Sequence, residues 1–270
     1  MINIDTVEIR DIGSYLSVDE FGFLSDDFLE SNLQERWVKP CKQATDIIVG
    51  LTGECLVSVY LRGSVANGTA IDNISDIDLF IITSDVATDD QRNSIRTDCN
   101  NILSDYKFAT RFDIGFYTEQ EILNNKERVL IKFRSYKLYG KDLSVEIPRL
   151  KTGKDTAVTL LGLERELIKL QSEADCNEYS VSNTENTCKW MSKRIVRSGL
   201  EIVSERGGAY TRDLYKCWEM FSEYYPEYKE KMFRVLFLAI NPSNKIDDLR
   251  YLIDFGNQII CLAKRNVKFL

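Results

Sequence analysis

Residues 56–83, LVSVYLRGSVANGTAIDNISDIDLFIIT, contain two apolar, β-branched runs, 56–61 and 77–82, that read as strands. Between them stand a Gly-Ser pair, Gly63 and Ser64, and, about a dozen residues later, Asp76-Ile77-Asp78. Side chains two apart on a strand share a face, so Asp76 and Asp78 project together while Ile77 turns to the core. Two carboxylates held side by side repel unless a proton or cation sits between them, and such hard oxygen donors favour Mg²⁺ or Mn²⁺. Gly63 has no Cβ, so a phosphate can approach its backbone closely. The Ser64 N–H and hydroxyl can both donate to phosphate oxygens if a helix begins there. Metal and phosphate are therefore expected at one place.

Composition narrows the chemistry. The 270 residues, 44% hydrophobic, suit one large or two modest domains with real cores. There is no histidine, which excludes Ser-His-Asp triads and histidine-dependent nuclease or deaminase sites, so carboxylates must carry any acid or base work. Seven cysteines without a C-x-x-C read as buried or incidental thiols of a reducing compartment. The start, MINIDTVEIRDIG, has no apolar signal core, and no apolar run approaches the length of a membrane span, so a cytoplasmic location is expected. Residues 1–150 hold 16 Lys+Arg against 25 Asp+Glu, net −9, and residues 151–270 hold 19 against 17, net +2. A protein that tracks long nucleic acid usually carries a basic domain, so such a substrate is disfavoured.

The order of strand, Gly63-Ser64, Gly68, then Ser75-Asp76-Ile77-Asp78 heading a second strand resembles the nucleotidyltransferase superfamily of DNA polymerase beta-like fold. Within it, the aminoglycoside adenylyltransferases and the minimal nucleotidyltransferases are similar. Val65, Ala66 and Asn67 depart from that pattern, because many relatives carry arginine there, and phosphate charge must be met elsewhere. The next strand-like run, 109–117, has one acid, Asp113, which is costly to bury unpaired. The resemblance implies that Asp113 is either a third metal ligand or the base that deprotonates the acceptor. It also implies that Ser75, with Gly63 and Ser64, lies in the nucleotide site.

Around these strands the pattern is helical over 25–52, with Phe28, Leu29, Leu33, Trp37 and Ile48, and Pro40 is expected to break it into two helices. Residues 86–106 read as a further helix, and Thr118 with Glu121 makes a capping box for a short one. From residue 155 long helices are expected over 156–174, 185–205, 211–225, 227–240 and 245–266. Lys189, Lys193 and Arg197 share one face of the second of these, with Arg194 beside them. That face is either solvated or a clamp for the β- and γ-phosphates. The second use, with Arg212 of the YTRD stretch, is what the resemblance implies.

The expected architecture is α+β: a mixed-sheet nucleotidyltransferase domain over 1–150, then an all-helical bundle over 151–270 that clamps nucleotide and holds substrate. The expected reaction is Mg²⁺-dependent (or Mn²⁺-dependent) transfer of a nucleoside monophosphate, AMP from ATP, to a hydroxyl. The acidic first domain and Trp190, Trp218, Glu219, Tyr224 and Tyr225 suit a small polar acceptor such as an aminoglycoside. A protein or RNA acceptor is the alternative within the same chemistry, and a non-catalytic nucleotide-binding scaffold the alternative outside it.

Overall fold

The computed structural model describes residues 6–25, 33–175 and 181–268. The expected helical positions Phe28 and Leu29 lie outside the described residues. Two compact units result: residues 33–149, and residues 6–25 together with 150–175 and 181–268. The short strand β1 (Leu16–Ser17) belongs to the second unit.

The first unit opens with helix α1 (Glu35–Thr52), which runs unbroken through Pro40. The proline ring removes one backbone hydrogen bond early in the helix, at about 3 kcal/mol. Against that, Trp37, Cys41, Ala44 and Ile48 form a stripe of almost zero exposure on the sheet, and each large apolar side chain contributes about 1.5 to 3 kcal/mol. Burial outweighs the lost bond, so the expected break does not occur. Gly53 ends the helix at φ 57°.

The sheet has the order β4-β3-β2-β5, with β2 (Leu56–Arg62), β3 (Ile77–Thr83), β4 (Phe112–Thr118) and β5 (Ser135–Gly140). It is mixed: β3 and β4 are parallel, while β2 runs antiparallel to both β3 and β5. The parallel pair is linked through α3 (Asp89–Asn101), whose N-terminus is closed by a Thr88–Gln91 capping box. The four-residue α2 (Gly63–Ala66) follows β2, and α4 (Glu119–Asn124) carries the expected Thr118–Glu121 box before α5 (Arg128–Phe133). Leu61, Leu79 and Ile114 are cross-strand neighbours packed into one core with α1 and α3. By the two-residue alternation, Arg62, Asp78 and Asp113 are the next row, facing the other way.

The second unit is helical: α6 (Leu160–Asp175), α7 (Val181–Gly207), α8 (Leu214–Tyr224), α9 (Lys229–Ile240) and α10 (Ile246–Asn266). α7 packs against the other four, and its Met191, Ile195 and Ile202 are buried. Between α7 and α8 the strand β6 (Ala209–Tyr210) pairs antiparallel with β1. The expectation of 1–150 as one domain placed the first residues with the sheet, yet 6–25 pack with the helices. Leu16 faces Tyr210, Tyr15 donates to the Lys216 carbonyl at 2.7 Å, and Val7 and Asn241 exchange two hydrogen bonds. Such contacts over about 200 residues of separation leave no local signal in the sequence. Among the described residues no helix is long and apolar enough to cross a membrane.

Candidate active site

The end of β2, the head of β3 and the head of β4 meet in a row of three charged side chains. Pairing sets Arg62 opposite Asp78, and Asp78 beside Asp113. One Arg62 Nη2 lies 3.1 Å from Asp78 Oδ1 and 3.8 Å from Asp113 Oδ2, so a guanidinium bridges the two carboxylates. Its plane rests on the Phe80 ring, with Cζ 4.5 Å from the centroid. Phe80 has that position because Gly115, opposite it on β4, has no side chain: a Cβ there would stand 3.0 Å from the Phe80 ring. Tyr117 completes this face, edge-on to Phe80, and burial raises its phenol pKa.

Asp76 and Asp78 straddle the fully buried Ile77, as alternation requires. Their counter-ions differ, because Asp76 lies 3.5 Å from Arg111, on the turn into β4. Gly63 adopts φ 74°, and a Cβ on it would stand 2.0 Å from Asp78 Oδ2. The room left by that glycine is therefore filled by the carboxylate. Helix α2 does begin at Gly63, with Ser64 in its first turn. Ser75 is buried; its hydroxyl accepts from Ile71 N–H at 2.9 Å, and its carbonyl accepts from Thr110 N–H and Oγ1. Ser75 thus ties the loop before β3 to the turn before β4, which fixes where the three acids stand.

Three carboxylates at two adjacent strand heads are a donor set of the kind that binds a hard divalent cation. Among the described residues, no three Asp, Glu or Cys side chains converge closely enough to hold an ion as they stand. Asp76 turns to Arg111, while Asp78 and Asp113 share Arg62. The donor chemistry fits a divalent cation, with guanidinium groups now standing against its ligands.

The basic residues expected on the helical unit are half-buried rather than solvated. Arg194 is ion-paired with Glu166, stacks on Trp190 at 5.2 Å and donates to the Thr159 carbonyl. Burial raises the Glu166 pKa against the pull of Arg194. Arg212 faces the buried Glu201, and Arg197 Nε donates to the Arg212 carbonyl at 3.3 Å. Lys193 lies on the same stretch of α7. The expected acceptor set is divided: Glu219 binds Tyr15 and Lys216, Trp218 packs between Tyr215 and Phe233, and Tyr225 is buried beside Phe221.

Sequence reasoning missed Arg62, Arg111, Phe80 and Gly115. Arg62 was legible in part: it sits two residues beyond Tyr60 at the end of an apolar strand, on the face opposite Leu61. Recognising its role needed the β2–β3 and β3–β4 registers, which no motif prints.

Comparison with known proteins bears on this site. Residues 46–136 match the family model described as a nucleotidyltransferase domain. A crystal structure of spectinomycin adenyltransferase from Enterococcus faecialis, with ATP and spectinomycin, superposes at TM-score 0.55 and 13% identity, covering 83% of this chain and 98% of its own. A toxin-antitoxin structure with AMP-PNP aligns at TM-score 0.29 and 17% identity, over 51% of this chain and 98% of its own. The tri-AMPylated Shewanella oneidensis HEPN toxin in complex with MNT antitoxin aligns at 0.25 and 16%, over 51% and 99%. No curated protein matches in sequence. Residues 46–136 thus carry a nucleotidyltransferase domain, which is that of an enzyme that transfers a nucleoside monophosphate.

Proposed function

We propose that the protein transfers AMP from ATP to a hydroxyl of a small polar acceptor of the aminoglycoside kind, with Mg²⁺. The observation that supports this most directly is the row Arg62, Asp78, Asp113 across three strands, beside Gly63 and Ser64, inside the matched domain. In this reading Asp76 and Asp78 hold the cation, and Gly63, Ser64 and Ser75 border the triphosphate. Asp113 is third ligand or general base; at 48% side-chain exposure it is the acid best able to reach an incoming hydroxyl. When bound, the cation supplies positive charge against the triphosphate and the departing pyrophosphate. The acceptor oxygen attacks the α-phosphorus in line, its proton passes to a carboxylate, and the bond to pyrophosphate breaks. The protein's part is alignment and neutralisation. Lys193, Arg194, Arg197 and Arg212 of the helical unit are the phosphate-clamping residues in this reading, Arg194 and Arg212 being the two that also face Glu166 and Glu201.

The acceptor class rests on charge and likeness. The sheet unit, residues 26–149, holds 15 Lys+Arg against 20 Asp+Glu, and this net −5 attracts cations and repels a second polyanion, while the fold is shared with an enzyme crystallised with spectinomycin. The test is incubation with labelled ATP, GTP, CTP or UTP and Mg²⁺, against streptomycin, spectinomycin, kanamycin, a lincosamide, tRNA and co-purifying protein. Label from ATP should appear on a small molecule. Asp76→Asn and Asp78→Asn should keep their melting temperature to within a few degrees and lose transfer by about a thousand-fold or more. Label on tRNA or protein alone would refute the acceptor, and undiminished transfer by Asp78→Asn would refute the site.

A further inference from the structure

Arg62 is built into the carboxylate row. Gly115 makes room for Phe80, Phe80 supports the guanidinium, and the guanidinium bridges Asp78 and Asp113 at 3.1 and 3.8 Å. The Arg62 side chain is 23% exposed, and its Nε is buried with no hydrogen-bond partner. One terminal nitrogen, Nη2, thus faces both acids while Nε stays unsatisfied, so this is not the arrangement that uses the guanidinium fully.

A divalent cation drawn to Asp78 would meet that positive group within a hydrogen-bond length of the same carboxylate. Like charges so close, in a half-buried setting, repel strongly. We infer that Arg62 is a built-in counter-ion of the proposed metal site, which holds Asp78 and Asp113 together and must leave Asp78 before a divalent cation can bind there. The inference rests on the proposed metal role of Asp78 and goes beyond it: metal loading is opposed by the protein's own cation and becomes favourable when a nucleotide triphosphate arrives to receive the released guanidinium. Arg62 immediately precedes Gly63 and Ser64, so its move is short. In this scheme it is a positioning residue.

The test is Mn²⁺ titration of the full chain, followed by the electron paramagnetic resonance of free Mn²⁺, with and without the non-hydrolysable ATP analogue AMPCPP. Parent, Arg62→Met, Arg62→Gln and Asp78→Asn are compared. Methionine keeps an apolar stem on Phe80, and glutamine guards against a folding defect peculiar to one variant. Without nucleotide, both Arg62 variants should bind Mn²⁺ about ten-fold or more tightly than the parent, as loss of a partly buried charged hydrogen bond predicts. AMPCPP should tighten binding strongly in the parent and much less in the variants. Equal or weaker binding by both variants, with Asp78→Asn abolishing it, would overturn the counter-ion role and leave the metal site standing. Absence of Mn²⁺ binding in all forms, with and without AMPCPP, would overturn both.

Discussion

Gly63 is held to glycine by two separate constraints. Its φ of 74° lies in the left-handed region, which costs an L-residue roughly 1–2 kcal/mol. The space a methyl group would need is taken by Asp78 Oδ2 at 2.0 Å. Gly63→Ala should therefore lower the thermal midpoint by several degrees and also push Asp78 out of its row, with transfer falling by about a hundred-fold or more. A variant that loses stability yet transfers at the parental rate would show that the position of Asp78 does not matter. The motif spacing puts Gly63 just after one strand and Asp78 near the head of the next, and the structure has Gly63 opening α2 after β2, Asp78 second on β3 and Asp76 just ahead of it. The spacing misjudged what fills the glycine's empty side, because a close packing across two strands is invisible until their register is known. Arg62 escaped for the same reason: one arginine at a strand end has no meaning until Asp78 and Asp113 stand beside it.

Elements in the helical unit are joined by a buried charge. Glu201, on α7 and only 2% exposed, accepts from the Thr159 N–H at 3.0 Å and the Leu160 N–H at 2.7 Å, capping the start of α6. Burial raises its pKa, against the opposing pull of Arg212 and those amides. The folded carboxyl thus holds its proton more tightly than the unfolded one, whose ordinary value is 4.5. It follows that the folded state binds more protons in the window above 4.5, and stability falls as pH rises through that window. Glu201→Ala leaves the two helix-end amides without an acceptor and removes the carboxyl that Arg212 faces, at about 1 to 3 kcal/mol for each buried donor left unsatisfied. Denaturant midpoints of parent and variant at pH 4 and pH 7.5 test both points: the penalty should be larger at pH 4, and an equal penalty at the two values would contradict the raised pKa. Helix periodicity showed α7 well, through Met191, Ile195 and Ile202. Glu201, a charged residue inside that pattern, gave no sign of being buried, since its partners come from α6 and from the stretch after Gly207. Pro40 taught the converse, for a strong local breaker was overridden by the stripe of Trp37, Cys41, Ala44 and Ile48 against the sheet.

At the scale of the chain, the start of the sequence completes the helical unit rather than the sheet. Leu16, 7% exposed, pairs with Tyr210, and the stretch around it reaches Lys216, Glu219, Asp213 and Asn241. None of this was legible: residues 1–24 show weak periodicity, and a two-residue strand pairing across about 200 residues lies beyond local pattern. The consequence is that a substitution near the N-terminus should act on the helical unit. Leu16→Ala removes a buried side chain and should cost about 2 to 4 kcal/mol, a large share of the 5–15 kcal/mol typical of a domain. The three tryptophans divide the readout, since Trp37 is buried in the sheet unit while Trp190 and Trp218 lie in the helical one. In a chain that retains only Trp37, and in one that retains only Trp190 and Trp218, urea unfolding followed by fluorescence reports each unit separately. Leu16→Ala should move the Trp190 and Trp218 midpoint to lower urea and leave the Trp37 midpoint in place. If the Trp37 midpoint moves alone, the N-terminal segment stabilises the sheet unit instead, and if both move equally the two units unfold as one cooperative body.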